Sequence, residues 1–344
     1  MVRIQVHIRG IPQGLADVPL PFDDATVPLA LLARCPVAAV TPLVVADVLA
    51  DRAGVAALWV KDERGRMGLG SFKALGAAYV IAHLAQMGDV RGRVFVTASA
   101  GNHGLSVAAG AAAFGARAVV YIAQTVPEAF AARLRGIGAE VVREGAAYED
   151  SMTAAAGAAE NHGWTLLSDS SWPGYTDLPH RLMEGYLVMA HEAAEQVPAA
   201  PTHVFLQAGV GGMAAAVAAH VRRVWGDGPR VIVVEPDRAA ALCDSVVAGR
   251  AVIAPGEASS MGRLDCKEPS LIALAGLMRD ADAFLTIADG AVAAELPGLA
   301  ARGLETSSSG GAGLAALLAL TGPQRETLGL TQGSRVLCIL SEGA

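Results

Sequence analysis

The chain has 344 residues, enough for one large domain or two packed ones, and its 53% hydrophobic and 17% charged residues provide a large core and exclude general disorder. The net charge of −7 comes without a lysine and arginine cluster, so nucleic acid is not an expected partner. Since no run reaches the ~18 apolar residues of a membrane span and the N-terminus lacks signal-peptide order, we predict a cytoplasmic protein without a membrane partner.

Apolar segments rich in β-branched residues alternate with alanine-rich helical segments along the chain. A first set of strands is predicted at residues 94–97, 118–122, 140–142 and 165–167. Helical segments follow the first three of these strands, at residues 104–114, 127–134 and 148–161. A second set of strands, with helices between them, is predicted at residues 203–207, 230–235, 283–287 and 335–340. This alternation predicts two α/β units with parallel sheets, which usually bind small ligands at the carboxyl ends of their strands.

One lysine, Lys73, precedes an apolar segment of small residues that is predicted to form a helix over residues 74–84. Apolar surroundings and the positive end of a helix dipole both disfavour an ammonium group, so we expect a lowered pKa for Lys73. A Schiff-base lysine needs such a pKa. From this segment alone, an ordinary surface lysine is the stronger interpretation.

Two turns in the chain are predicted to bind anions through backbone N–H groups. The segment at residues 97–104 follows a strand and opens a helix, with Ser99 as the expected N-cap. A glycine-rich turn at residues 207–213 has the same arrangement and is suited to a phosphate. It also satisfies the Gly-x-Gly-x-x-Gly/Ala fingerprint, and Glu235 ends the next strand, which keeps a nicotinamide-dependent dehydrogenase open as an alternative.

The cysteines and histidines do not form a metal-binding pattern. The four cysteines are scattered without a Cys-x-x-Cys pair, so reduced thiols are expected and no metal site is predicted. His191 and Glu192 begin a pattern typical of zinc proteases, but glutamate stands at position 195 where that pattern needs histidine. We interpret this segment as a solvated helix face.

Taken together and in order, several segments resemble the fold-type II pyridoxal-phosphate enzymes, the tryptophan synthase β-like superfamily. Its marks are Thr-Pro-Leu at 41–43, Ser-Phe-Lys at 71–73, Ser-Ala-Gly-Asn-His at 99–103 and the glycine loop at 209–212. Within the superfamily the chain is most similar to the diaminopropionate ammonia-lyases, through residues 58–63, 72–76, 172–176, 202–211 and 234–236. The resemblance covers nearly the whole chain.

The resemblance implies a fold of two three-layer α/β domains with mainly parallel, twisted sheets. The large cofactor-binding domain is expected to comprise residues 1–80 and 180–344. The small substrate-binding domain is expected to comprise residues 81–179. The resemblance also implies a homodimer.

The same resemblance implies roles for individual residues toward pyridoxal 5′-phosphate and a small amino-acid substrate. Lys73 carries the cofactor as a Schiff base, Asn102 faces its 3-hydroxyl and Ser341 meets its pyridine nitrogen. The phosphate is held by Gly209, Val210, Gly211, Gly212 and Met213. The substrate carboxylate is received by the turn of Ser99, Ala100, Gly101, Asn102 and His103. Asp169 matches an acidic residue used in proton transfer, and we expect a raised pKa for it in a closed cleft.

Two positions depart from the family pattern. Ala100 replaces an aspartate that is implicated in handling the D-isomer, and Ser99-Ala100 instead resembles serine and threonine dehydratases. Ser308 stands roughly where the family has a glutamate beside the cofactor. These departures leave the exact substrate, its leaving group and its stereochemistry open.

The predicted activity is that of a carbon–nitrogen lyase. The enzyme would act by α,β-elimination on 2,3-diaminopropionate or a β-hydroxy amino acid and give a 2-oxo acid and ammonia. Either Lys73 or Asp169 would take the Cα proton. A neutral hydroxyl at Ser341 makes the pyridine ring a weaker electron sink, which favours prompt elimination over transamination. A serine or threonine-type dehydratase and an amino-acid racemase are the alternatives on the same scaffold.

Overall fold

Seven strands form the larger of two sheets in the computed structural model, which describes residues 3–344. They are β1 Arg3–Val6, β2 Leu43–Val45, β3 Ala57–Asp62, β8 His203–Gln207, β9 Arg230–Pro236, β10 Ala283–Ile287 and β11 Arg335–Leu340. Their order in the sheet is β1-β10-β9-β8-β11-β3-β2. The five inner strands are parallel, and the edge strands β1 and β2 pair antiparallel with their neighbours.

Four strands form the smaller sheet. They are β4 Val94–Ala98, β5 Arg117–Ile122, β6 Glu140–Arg143 and β7 Thr165–Leu166. Their order is β6-β5-β4-β7, and every pairing between them is parallel.

Helices connect these strands and cover the sheets. Those of the first half are α1 Thr26–Leu32, α2 Asp47–Ala53, α3 Ala77–Met87, α4 Asn102–Ala113, α5 Glu128–Gly136, α6 Tyr148–His162 and α7 Asp177–Gln196. Those of the second half are α8 Gly212–Trp225, α9 Ala241–Ala248, α10 Leu271–Asp280, α11 Asp289–Ala300, α12 Ala312–Ala319 and α13 Gly322–Thr327. Short 3-10 helices lie at Gln13–Leu15, Glu63–Gly68 and Phe72–Leu75.

Both faces of the large sheet are buried. Consecutive side chains of a strand point to opposite faces, and on β11 Leu337 and Ile339 join one core while Val336 and Cys338 join another. Parallel strands covered by helices on both faces produce such continuous apolar runs. The predicted fold class, two α/β units with mainly parallel sheets, is confirmed.

All eight predicted strands are present, and the prediction omitted β1, β2 and β3. The strands β1 and β2 are short and have no buried residue, so their sequences lack the apolar run that marks an inner strand. The smaller sheet spans residues 94–166, and the domain boundaries at 80/81 and 179/180 remain a prediction.

The interpretation of the segment at 191–192 as a solvated helix face is wrong for Glu192, which is buried. Its carboxylate accepts hydrogen bonds from Lys61 Nζ at 2.7 Å and Arg66 Nη2 at 2.6 Å. Both cations have fully buried side chains, and Glu63 supplies the second buried carboxylate to Arg66 at 2.8 Å. Two positive and two negative charges therefore compensate one another where the loop before β2 meets β3 and α7.

Other sequence expectations concern thiols, metals and membranes. The four cysteines lie apart without a disulfide, and Cys243 and Cys338 are buried, whereas Cys35 and Cys266 are partly exposed. Within residues 3–344, no group of three or more His, Cys, Asp or Glu side chains is arranged to hold a metal ion. None of the helices in that range has the length and apolar character to cross a membrane.

Candidate active site

The predicted site segments converge at the carboxyl edge of the two sheets. Lys73 follows β3, residues 209–212 follow β8, Ser341 follows β11, and residues 99–101 follow β4. Because parallel strands open at the same edge, segments distant in sequence meet there. The backbone N–H of Phe72 donates to the carbonyl of Ser341 at 3.0 Å, which joins the lysine segment to the last strand.

The helix around Lys73 begins later than predicted. Lys73 lies in the 3-10 helix Phe72–Leu75, and α3 starts at Ala77. Gly76 separates the two, and a Cβ at this position would come within 2.9 Å of the Tyr186 side chain. A glycine is therefore required here because the Tyr186 ring packs against the backbone that presents Lys73.

The ammonium of Lys73 is paired with a carboxylate. Its Nζ donates to Asp169 Oδ2 at 2.5 Å and lies 5.2 Å and 5.7 Å from the ring centres of Phe72 and Tyr186. Burial lowers the pKa of Lys73, but the charge and hydrogen bond of Asp169 together with the nearby Tyr186 hydroxyl outweigh it, so the pKa lies above its usual value. The expectation of a lowered pKa, which considered only apolar surroundings and a helix dipole, is therefore wrong while Lys73 is paired with Asp169.

Lys73 is also the lysine best placed to react, among only three in the chain. Lys61 is fully buried, with Thr41 O, Glu192 Oε2 and Gln196 Oε1 as acceptors at 2.7–2.8 Å. Lys267 Nζ is bound to two backbone carbonyls and to the carboxylate of its near neighbour Asp265. Of the three, only Lys73 combines a partly exposed side chain with a position where the predicted site segments meet, beside Asp169.

Asp169 follows β7, the last strand of the smaller sheet. Burial raises the pKa of its carboxyl, but the charge and hydrogen bond of Lys73 together with the nearby His103 outweigh it, so its pKa lies below the usual value. The expected raised pKa is therefore wrong while the lysine is charged. His103 lies near the same pair; its Nε2 is 2.8 Å from the carbonyl of Leu167, and burial lowers its pKa.

The turn at residues 99–103 has a different cap from the predicted one. Gly101 occupies the N-cap position of α4, not Ser99. The hydroxyl of Ser99 nevertheless accepts hydrogen bonds from the N–H groups of Gly101 at 3.2 Å and Gly104 at 3.1 Å. The N–H groups of Asn102 and His103 belong to the first helical turn, which has no acceptors within the helix. This arrangement suits an anion such as a carboxylate.

Asn102 is bound to a carboxylate that the sequence analysis did not single out. Its side-chain nitrogen donates to Glu342 Oε2, and the Ser307 hydroxyl donates to the other oxygen of Glu342. Glu342 is 7% exposed and lies next to Ser341 at the end of β11. In the sequence, only its position next to Ser341 pointed to Glu342, because nothing there places Ser307 beside it.

Arg263 is a second residue that sequence analysis missed. Its Nη1 donates to the carbonyl of Ala100 at 3.1 Å, and its Nε lies 3.8 Å from Glu342 Oε2. A Cβ on Gly101 would come within 3.1 Å of the Arg263 side chain, so the arginine packs directly on the turn. It comes from a loop without helix or strand, where no periodic pattern marks a functional position.

The glycine loop after β8 forms a narrow cradle. A Cβ on Gly209 would meet Cys266 Sγ at 2.9 Å, and Gly211 has a φ of +98°, in the left-handed region. Helix α8 starts at Gly212, so the N–H groups of its first turn, including that of Met213, have no acceptor within the helix. The loop therefore leaves unpaired backbone N–H groups at the N-terminus of α8, where an anion can bind.

The acid that could have supported a dinucleotide site has another function. The carboxylate of Glu235 is fully buried and accepts hydrogen bonds from the N–H groups of Leu242 and Cys243, both at 2.8 Å. These N–H groups belong to the first turn of α9. Because Glu235 caps this helix inside the protein, its carboxylate is not available to bind the ribose of a dinucleotide. The dehydrogenase alternative therefore loses one of the two features that supported it, and only the glycine fingerprint remains.

Comparison with known proteins agrees with this arrangement. A family model described as "Pyridoxal-phosphate dependent enzyme" matches residues 36–342. The chain belongs to this family of fold-type II pyridoxal-phosphate enzymes. Diaminopropionate ammonia-lyase of Escherichia coli (strain K12) is 34% identical over 337 residues, which cover 88% of this chain and 84% of that protein.

Solved structures of an Escherichia coli diaminopropionate ammonia-lyase are similar over the whole chain. The complex with D-serine has a TM-score of 0.90 at 30% identity and covers 100% of this chain and 94% of the other. The complex with an aminoacrylate–PLP azomethine intermediate has a TM-score of 0.91 at 31% identity with the same coverage. The cofactor is therefore pyridoxal 5′-phosphate.

The residues present fit this cofactor. Lys73 supplies the amine, and the first turn of α8 in the segment at residues 209–213 supplies backbone donors for a phosphate. The hydroxyl of Tyr186 and Nδ1 of His103 are buried close to Lys73 and have no hydrogen-bond partner within the described residues. Burial raises the pKa of Tyr186 to about 12, so its hydroxyl is a neutral donor near neutral pH.

Proposed function

We propose that the chain is a pyridoxal-phosphate dependent carbon–nitrogen lyase that releases ammonia from a small amino acid by α,β-elimination. The observation that carries this proposal is the Lys73–Asp169 pair, placed beside an anion-binding turn. A lysine that can exchange a proton with a carboxylate, next to a site for a substrate carboxylate, is what removal of a Cα proton requires. The similarity to diaminopropionate ammonia-lyase over most of the chain supports the same reaction class.

The residues that would hold the cofactor are distributed around Lys73. The N–H groups of residues 209–213 would bind the phosphate, Asn102 would face the 3-hydroxyl, and Ser341 would meet the pyridine nitrogen. Bound pyridoxal phosphate supplies the electron sink that acidifies Cα. A hydroxyl at Ser341 carries no negative charge that would stabilise a protonated ring nitrogen. The ring would therefore be a moderate electron sink, which suits elimination rather than transamination.

The chain's own groups then orient the substrate and move the proton. In the turn at residues 99–103, the free N–H groups of Asn102 and His103 would hold the α-carboxylate and thereby fix the Cα–H bond relative to Lys73. Lys73 as a free amine would take the proton, and Asp169 at 2.5 Å would hold it or pass it to the leaving group. The phenyl and phenol rings of Phe72 and Tyr186 would exclude water from one side of the amine.

A racemase on the same scaffold is the alternative, since it shares all steps up to proton removal. It needs a proton donor on each face of Cα, and position 100 carries the methyl group of alanine. We also propose the domain boundaries given above, a homodimer and a cytoplasmic location, which follow from the family resemblance and the chain's composition.

The test is a substrate panel with the purified holoenzyme. L- and D-2,3-diaminopropionate, serine, threonine and 3-hydroxyaspartate would be assayed for ammonia, for 2-oxo acid and for the opposite enantiomer. We expect equal amounts of ammonia and oxo acid from at least one of them, and no release by Lys73→Ala. If the opposite enantiomer formed without release of ammonia, the protein would be a racemase and not a lyase.

A further inference from the structure

The cleft contains a cation that the proposed elimination does not use. The side chain of Arg263 is 46% exposed, and its backbone N–H is held by the Ser309 hydroxyl at 3.1 Å. Of the five guanidinium donors, one has a hydrogen-bond acceptor within residues 3–344, the carbonyl of Ala100. The remaining donors are available to a ligand.

The nearest carboxylate does not neutralise Arg263 through a direct hydrogen bond. Glu342 lies 3.8 Å away and accepts its hydrogen bonds from Asn102 and Ser307, one on each oxygen. An arginine that is partly exposed and bound to a neutral carbonyl keeps its positive charge and most of its N–H donors for binding an anion. Its charge is therefore a recognition element, whereas the carboxylate of Glu342 is engaged with the cofactor-facing asparagine.

Arg263 approaches the turn at residues 99–103 from the side opposite the Ser99 hydroxyl. The N–H of Gly101 donates to Ser99 Oγ, and the carbonyl of the same peptide, that of Ala100, accepts from Arg263. In a trans peptide the N–H and C=O point in opposite directions. Gly104 N–H also points to Ser99 Oγ. The guanidinium therefore lies on the other side of this peptide from Ser99, and the N–H groups of Asn102 and His103 in the first turn of α4 remain for the α-carboxylate.

Position 100 adds no negative charge to the turn that Arg263 packs against. A carboxylate there would place a negative charge in the same turn, where it would attract the guanidinium. This chain has Ala100, whose methyl group leaves the arginine uncompensated on that side.

We propose that Arg263 binds an anionic group on the substrate's side chain, so that the substrate is a β-hydroxy amino acid with a side-chain carboxylate. The inference rests on the proposed elimination. A β-ammonium leaving group would lie near the guanidinium and be repelled, whereas a hydroxyl would not. For 3-hydroxyaspartate, the Cα–H and Cβ–O bonds break, water leaves, and hydrolysis of the C–N bond gives 2-oxosuccinate and ammonia without net oxidation.

The kinetic test compares 3-hydroxyaspartate with serine, which has the same leaving group and lacks the second carboxylate. The wild type should favour 3-hydroxyaspartate in kcat/KM by about 10-fold or more, because hydrogen bonds to charged groups contribute that much. Arg263→Gln should reduce the ratio by about 10- to 100-fold. Arg263→Lys should retain part of it, and Ala100→Asp should reduce it by pairing with the arginine.

A binding measurement separates recognition from turnover. L-Aspartate and L-alanine have no β leaving group, and their affinities can be read from the absorbance of the bound cofactor. We expect the wild type to bind aspartate more tightly than alanine and Arg263→Gln to lose that preference. The matched control is Arg302→Gln, an exposed arginine bound to the carbonyl of Gly298, which should leave both ratios unchanged.

Two outcomes would overturn the inference. One is a wild type that uses serine at least as well as 3-hydroxyaspartate. The other is an Arg263→Gln variant that slows both substrates by the same factor, because the arginine would then serve the α-carboxylate that they share. If no substrate releases ammonia, the proposed function fails separately, and the aspartate-to-alanine binding ratio still decides whether Arg263 binds a side-chain acid.

Discussion

Lys73 Nζ and Asp169 Oδ2 lie 2.5 Å apart although 96 positions separate them in the chain. Lys73 comes from the segment after a strand of the larger sheet, and Asp169 comes from the segment after the last strand of the smaller one. The pair therefore joins the two sheets at the site. Each partner shifts the other's pKa away from neutrality, upward for the lysine and downward for the aspartate, so the two side chains form an ion pair.

This pairing predicts how pH controls capture of the cofactor. An amine must be deprotonated to react with an aldehyde, and Asp169 holds the pKa of Lys73 above its usual value. Asp169→Asn removes that charge and leaves burial, which lowers the pKa. The pH midpoint for cofactor capture by apoprotein should therefore move down by about 1–3 units. Rapid-mixing absorbance across a pH series measures it.

The control for this experiment is Asp177→Asn, an exposed aspartate in the first turn of α7. It should keep the wild-type midpoint. An unchanged midpoint in Asp169→Asn would mean that the ion pair does not govern the lysine. Elimination by the reconstituted Asp169→Asn variant should fall by about 10²–10⁴ if the carboxylate also handles the substrate proton.

Replacement of Lys73 should abolish the reaction. Lys73→Ala should lose the visible absorbance of the bound cofactor and reduce turnover by about 10³-fold or more, because the reactive amine is gone. Lys267→Arg keeps a cation at a partly exposed lysine that is paired with Asp265, and it should retain the absorbance band. A Lys73→Ala protein with the wild-type band would contradict the assignment.

The glycine cradle makes a prediction about affinity. In Gly209→Ala the new Cβ would meet Cys266 Sγ at 2.9 Å and the carbonyl of Arg263 at 3.0 Å. Overpacking of this kind costs about 1–3 kcal/mol, so the cofactor's Kd should rise by about 10-fold or more. Equilibrium titration of the apoprotein measures it. Gly157→Ala in α6, where nothing lies within 4 Å of the added Cβ, should not change the Kd.

The buried charge network predicts a loss of stability. Glu192→Gln removes the carboxylate shared by Lys61 and Arg66, whose side chains are fully buried. An unpaired buried charge costs about 3–5 kcal/mol. The free energy of unfolding, measured by denaturant titration, should fall by that amount. Glu195→Gln, on an exposed position of the same helix, should change it by no more than about 0.5 kcal/mol.

Much of this protein can be derived from the amino-acid sequence. The inner strands were predictable because their side chains are buried on both faces, which requires continuous apolar runs. The turns at 99–103 and 209–213 were recognisable because glycine and hydroxyl residues between a strand and a helix leave free N–H groups. The strands and the turns both depend on residues that are close together in the chain, and their order can be read directly from the sequence.

Only the tertiary structure decided the charges of the site. The pKa values of Lys73 and Asp169 shift in directions opposite to those expected, because each depends on a partner 96 positions away. The burial of Glu192 and the contact of Arg263 with Ala100 likewise join distant segments. A Coulomb interaction depends on distance in space. The sequence determines which groups are present, and folding determines which of them are neighbours.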